Sequence, residues 1–190
     1  MKVDLNADVG ESFGRYTLGM DDHLIPLLSS ANIACGYHAG DPLVMEKTVE
    51  LCKNAGVALG VHPGFPDLQG FGRRNMDCTP KELKTMLLYQ MGALEAFLHK
   101  DGLKLQHVKP HGALYNMAAK DEELAKAICD AVKEYDSSLI ILAQASGKLY
   151  QLAEKTGRPV KAEVFMDRAY KEDGSLVNRR KPGAMITDEE

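Results

Sequence analysis

One pattern recurs along this chain and limits what it can fold into: a short apolar run ends in polar residues, and a helix start follows at once. In Ala31-Asn32-Ile33-Ala34-Cys35-Gly36-Tyr37-His38-Ala39-Gly40-Asp41-Pro42 the apolar part reads as a strand, the turn carries His38, and Asp41 with Pro42 supplies a helix cap and first helical residue. Strands that hand over to helices in this way build parallel α/β folds, whose functional groups collect at the carboxyl ends of the strands. The same order places His62 after the run 57–61 and His111 after the run 105–110. Three strand ends are therefore expected to deliver a His each to one face.

With 190 residues the chain fits one domain, 1–190, large enough for a core without staples. The net charge of -4 and the dispersed basic residues leave no footprint for nucleic acid or an anionic membrane. No apolar run approaches the roughly 20 residues that cross a bilayer, and no targeting segment is evident. The four cysteines, at 35, 52, 78 and 129, form no CxxC pair, which argues against a zinc finger or a disulfide framework and for a reduced, cytoplasmic protein. Cys52 and Cys129 are expected as small core residues of amphipathic helices.

Strands are expected at 3–5, into Cys35, at 57–61, from 105, at 139–142 and at 160–165, with an extended return at 176–183. Helices are expected at 20–28, at 42–55 with Val44, Thr48, Leu51, Cys52 and Ala55 inward, from the capping box Thr79-Pro80-Lys81-Glu82 to Asp101, at 121–135 and at 146–155. Thr187-Asp188-Glu189-Glu190 reads as another capping box, so the chain is expected to stop as a helix begins.

Between these elements lie the residues that carry chemistry. Asn6-Ala7-Asp8-Val9-Gly10-Glu11 places an amide and two carboxylates after the first strand, which suits a metal, a proton transfer or a polar substrate, or only a solvated turn. The loop from His62 to Arg74 holds two Pro, three Gly and two Phe, which favours an ordered, functional loop. Its adjacent Arg73 and Arg74 are built to clamp a carboxylate or phosphate, or to pair with a surface acid. Lys109-Pro110-His111 presents a cation and an imidazole from one rigid turn, whereas His107 reads as a hydrogen-bonded strand or core residue. Neither a Walker loop nor a GxGxxG fingerprint is present, and the three histidines are too far apart in sequence to form a contiguous ligand motif such as HExxH. Metal-assisted and metal-free acid/base chemistry both remain open.

Five segments in order, Asp4 to Gly14, Ala31 to Pro42, His62 to Asp67 with Gly70 to Arg74, Val108 to Asn116, and Glu163 to Arg168 with Pro182-Gly183-Ala184, resemble the signature segments of the LamB/YcsF family, the A-subunit family of 5-oxoprolinase. The resemblance implies a (β/α) barrel, commonly an incomplete seven-stranded one related to the polysaccharide deacetylase fold. Members usually continue with a further strand-and-helix segment carrying His-Gly-Asp, which this chain lacks. It also implies ATP-dependent opening of 5-oxoproline to L-glutamate with two partner subunits, with Mg accompanying ATP or a divalent metal in the site. Self-association is left open. On that footing Asp8, Glu11, His38, His62 and His111 are the expected catalytic residues, with Asp8, His38 and His62 as ligands if a metal is bound. Asn6, Arg73, Arg74, Lys109, Asn116 and Arg168 are expected to meet substrate or nucleotide, with Asp167 and Arg168 as a supporting ion pair. Two competing expectations are a metal-dependent deacetylase or amidohydrolase working without ATP, and a non-catalytic subunit that binds substrate or partner.

Overall fold

A computed structural model of the chain describes residues 3–187, so the capping box expected at its end extends beyond the described residues. Six strands form one parallel sheet in sequential order: β1 (Asn6–Val9), β2 (Ser30–Ala34), β3 (Ala58–His62), β4 (Leu105–Val108), β5 (Ile140–Gln144) and β6 (Val160–Glu163). Helices fill the connections: α1 (Asp21–Leu24) with a 3-10 turn at Ile25–Leu27, α2 (Pro42–Ala55), α3 (Pro80–Lys100), α4 (Gly112–Ala118), α5 (Glu122–Tyr135) and α6 (Lys148–Lys155). Sequential order with a helical crossover at each step is barrel winding. The sheet is curled accordingly: the Lys109 ammonium, just past β4, reaches Asp8 on β1 at 3.0 Å and Glu163 on β6 at 2.7 Å. The fold is a (β/α) barrel-like half-barrel, and among the described residues no ladder joins β6 to β1.

Register explains the two faces of the sheet. Ala31, Ile33, Leu59, Val61, Val108 and Ile141 turn outward, where they form the core with Met45, Val49 and Cys52 of α2, Leu83, Leu87, Met91, Leu94 and Leu98 of α3, and Leu124, Ile128 and Val132 of α5. The alternate positions, Asp8, Asn32, His62, His107, Gln144 and Glu163, turn inward and are polar. Barrel interiors are ordinarily filled by layers of branched apolar side chains, so this filling marks a site.

The helix starts follow the expected chemistry. Asp41 caps α2 through the amides of Leu43 and Val44, and Thr79 with Glu82 forms the capping box of α3. Departures have local causes. The first strand lies at Asn6–Val9, not at 3–5, because β2 offers partners only to those residues, while Val3 is exposed. The helix expected at 20–28 gives way to the 3-10 turn because Pro26 lacks an amide hydrogen and disfavours α geometry before it. In α2 the inward positions are Met45, Thr48, Val49 and Cys52, with Val44 half-buried. The segment 176–183 is not a strand: Asn178 caps the Arg180 amide and a turn at Lys181 follows, leaving isolated bridges from Tyr170 to Leu176 and from Arg168 to Met185. All four cysteines are free, with Cys52 and Cys129 buried. Among the described residues no helix is long and apolar enough to cross a membrane.

Candidate active site

Three loops at the carboxyl ends of the strands converge on one point. His38 sits on the turn between β2 and α2, His62 is the last residue of β3, and His111 follows β4 and precedes α4. The rings of His38 and His111 stack with centroids 3.7 Å apart, and His62 lies edge-on at 5.3 Å from the first and 4.8 Å from the second. Glu11, just past β1, points into the group, and ligand atoms of Glu11, His38, His62 and His111 all lie within 4.8 Å of one another. The expectation that the three histidines share one face is met.

The far nitrogens of two rings are fixed by backbone. His62 donates from Nδ1 to the Lys109 carbonyl at 2.7 Å, and His111 donates from Nε2 to the Phe71 carbonyl at 2.8 Å. The His62 Nε2 and His111 Nδ1 atoms then face each other at 2.9 Å, and Asp8 Oδ2 lies 3.2 Å from the former. Either a proton on His62 Nε2 or a cation satisfies that convergence. Burial, reinforced by the His62 charge, pushes His38 and His111 down to about 2, so both imidazoles are neutral and free to ligate. Imidazoles held by backbone carbonyls beside a carboxylate are an arrangement that holds a divalent metal, and His38 Nε2 lies 3.3 Å from Glu11 Oε1. The donor set fits such an ion.

The carboxylates differ. Burial, aided by the Asp8 charge, pushes Glu11 up to about 7, and His62, Arg73 and Lys109 oppose that rise. Burial would raise Asp8 as well, but His62 and Lys109 outweigh it and hold that carboxyl well below the ordinary range. Lys109 is buried, and although burial favours its neutral form, Asp8 and Glu163 keep it charged. One group poised near neutrality beside one fixed anion is what separates a proton carrier from an electrostatic partner.

The other expected residues divide. Arg73 lies over the Phe71 ring at 4.9 Å, and Phe71 stands edge-on to His38 and His111. Arg74 turns away and clamps the buried Asp67 of its own loop through Nε and Nη2. Asn116 is exposed and donates to the Gly112 carbonyl, and Asn6 accepts from Asn32. Arg168 donates to the Val177 carbonyl at 2.7 Å, and the expected ion pair with Asp167 is absent among the described residues. Gly72 closes the loop on the rings: a Cβ there would lie 2.7 Å from His38 Cβ and 2.8 Å from His111 Cδ2, at a φ of +62°. Asn32, Gln144 and Glu163 are interior residues whose roles the sequence left unassigned. Their signal is a polar residue at an inward position of a buried strand.

The LamB/YcsF family matches residues 3–190. The A subunit of 5-oxoprolinase from Clostridium beijerinckii is 61% identical over 189 residues, covering 100% of this chain and 74% of the relative. That of Pyrococcus furiosus is 55% identical over 190 residues with the same coverage. The crystal structure of the lactam utilization protein from Thermus thermophilus superposes with a TM-score of 0.94 at 52% identity, covering 99% of this chain and 76% of that one. Carried by a match that runs from the first strand through the loops bearing the three imidazoles, this chain belongs to the LamB/YcsF family.

Proposed function

We propose that the chain is the A component of a cytoplasmic, ATP-dependent 5-oxoprolinase that opens 5-oxoproline to L-glutamate together with two partner subunits. The relatives named as A subunits of 5-oxoprolinase and the lactam utilization protein support the substrate class. The observation that carries the chemistry is the cluster of three imidazoles and Glu11 beside the buried Lys109 ammonium.

An unstrained lactam resists water, and a phosphoryl group passed from ATP to its oxygen would make the ring carbon electrophilic. Water then attacks that carbon, the C–N bond breaks as the nitrogen takes a proton, and a second water hydrolyses the acyl phosphate so formed, releasing phosphate and leaving the new carboxylate. Glu11, pushed up to about 7, is suited to accept the proton of the attacking water near neutral pH. Glu11 then returns that proton to the leaving nitrogen. Lys109 and Arg73 supply positive charge for the substrate carboxylate or the transferred phosphoryl group. A divalent ion held by His38, His62 and His111 with Glu11 would supply Lewis-acid polarisation of an oxygen.

The test is glutamate release from 5-oxoproline by the chain with its partner subunits, with and without ATP and before and after a chelator. Turnover confined to the ATP arm supports the proposal. Equal rates without ATP would reject it in favour of a metal-dependent amidohydrolase, the second reading that the metal-fitting cluster favours. Unchanged turnover in H38A and H111A would instead leave the chain with a binding role only.

A further inference from the structure

One layer deeper than the imidazoles, a second polar group is built across three strands, and the proposed chemistry does not yet use it. Asn32 on β2, Gly60 on β3 and His107 on β4 are aligned in register. His107 reaches across the intervening strand, and its Nε2 donates to Asn32 Oδ1 at 2.8 Å. The crossing is possible only over glycine: a Cβ on residue 60 would lie 2.0 Å from His107 Nε2. Asn32 in turn donates from Nδ2 to Asp8 Oδ1 at 3.0 Å and to Asn6 Oδ1 at 2.8 Å. Lys109 also donates to Asp8 Oδ1, at 3.0 Å. One oxygen of Asp8 is thus occupied by two donors, and Oδ2 alone faces His62.

An amide can turn over, presenting its oxygen in place of its nitrogen, and a carboxylate beside it would then meet an acceptor. The donor from His107 removes that freedom, because in the turned state two N–H donors would face each other. Asn32 and His107 are almost wholly buried, at 0% and 1% exposure, in a layer where apolar side chains would serve stability at least as well. A buried polar network kept in such a place specifies geometry.

We infer that Asn32 and His107, reaching each other across Gly60, are positioning residues that lock the Asp8 carboxylate with Oδ2 aimed at His62. The inference rests on the hydrolytic reading of the site for its kinetic consequence, not for the lock itself. Neither residue touches the reacting atoms. Each acts through Asp8.

Three variants test the lock in the full chain: H107F, which removes the donor; H107Q, whose amide nitrogen replaces Nε2; and G60A, which blocks the crossing while leaving both partners in place. In the reconstituted complex H107F and G60A are expected to lower kcat by about 10- to 100-fold, with KM changed less than about twofold, while H107Q restores most of kcat. A purely structural role would lower the melting temperature and leave kcat of the folded protein intact, and that result overturns the inference, as does a failure of H107Q to rescue. NMR of the Asn32 side-chain amide in the isolated chain decides the lock without turnover. Its protons are expected to shift and exchange faster in H107F and G60A but not in H107Q, and an unchanged signal in H107F would overturn the lock. If the native complex opens no 5-oxoproline, the proposed function fails while the NMR comparison still decides the lock.

Discussion

Burial sets Glu11 at about 7, and the same burial governs how an ion and a proton compete for the cluster. A protonated Glu11 cannot ligate, whereas His38 and His111, pushed down to about 2, stay neutral throughout the working range. Zinc affinity, measured by competition with a chelator, is therefore expected to rise with pH toward about 7. Below that point it should fall about tenfold per pH unit on account of Glu11, and E11Q should remove that part of the slope while binding more weakly. His107 provides a second titration, away from the cluster. Burial pushes it down from 6.5 to about 4; the Asp4 charge opposes this, and those of Lys109 and His62 add to it. Between those values the unfolded chain binds the proton and the folded one does not, so stability rises with pH through the window. Its contribution is present above about 6.5 and is lost as pH falls toward 4, amounting to about 3 kcal/mol. Urea unfolding of the native chain and H107Q at pH 7 and pH 4.5 checks it. The native chain should lose the larger share of its stability on acidification.

At the scale of elements, the loop from Pro63 to Arg74 works as a lid fixed from both sides. Asp67 is held by Arg74 and by the Gly70 amide, and the Phe71 carbonyl orients His111. Substitution of Gly72 by Ala would place a Cβ against both stacked rings at a positive φ. G72A is expected to lower kcat/KM about a hundredfold, by shifting the rings toward 1 Å from register, while costing about 1–3 kcal/mol of stability. Circular dichroism that remains native beside lost turnover would check it; native turnover would refute it. Much of this scale was legible in the sequence. The cap at Asp41, the capping box at Thr79 and the Leu and Met stripe of α3 are local signals, and all three recur in the structure. The convergence of His38, His62 and His111 was legible because each follows a strand. Arg74 was not: its partner Asp67 lies on the same loop, and only the folded loop shows that its guanidinium is already occupied. Nor was the start of β1, because polar Asn6 and Asp8 face a polar interior that no apolar periodicity announces.

For the whole molecule, Lys109 is where the sheet is drawn together. Its ammonium is buried between Asp8 and Glu163, so removing it leaves two carboxylates in the interior without their cation. K109M is expected to destabilise the chain at neutral pH by about 3 kcal/mol, read as a lower urea midpoint, and the deficit should shrink in acid as the carboxylates take up protons. An equal deficit at every pH would refute the electrostatic account. The same contact also dictates an order of events. Lys109 and Asp8 are separated by 101 residues, and Glu163 comes later still. During synthesis the ammonium therefore emerges long before its second counter-ion, and the barrel interior stays unbalanced until β6 docks. Non-local pairing of this kind is slow to form, and a nascent chain halted short of β6 would hold its three histidines without the charge that holds the interior closed around them.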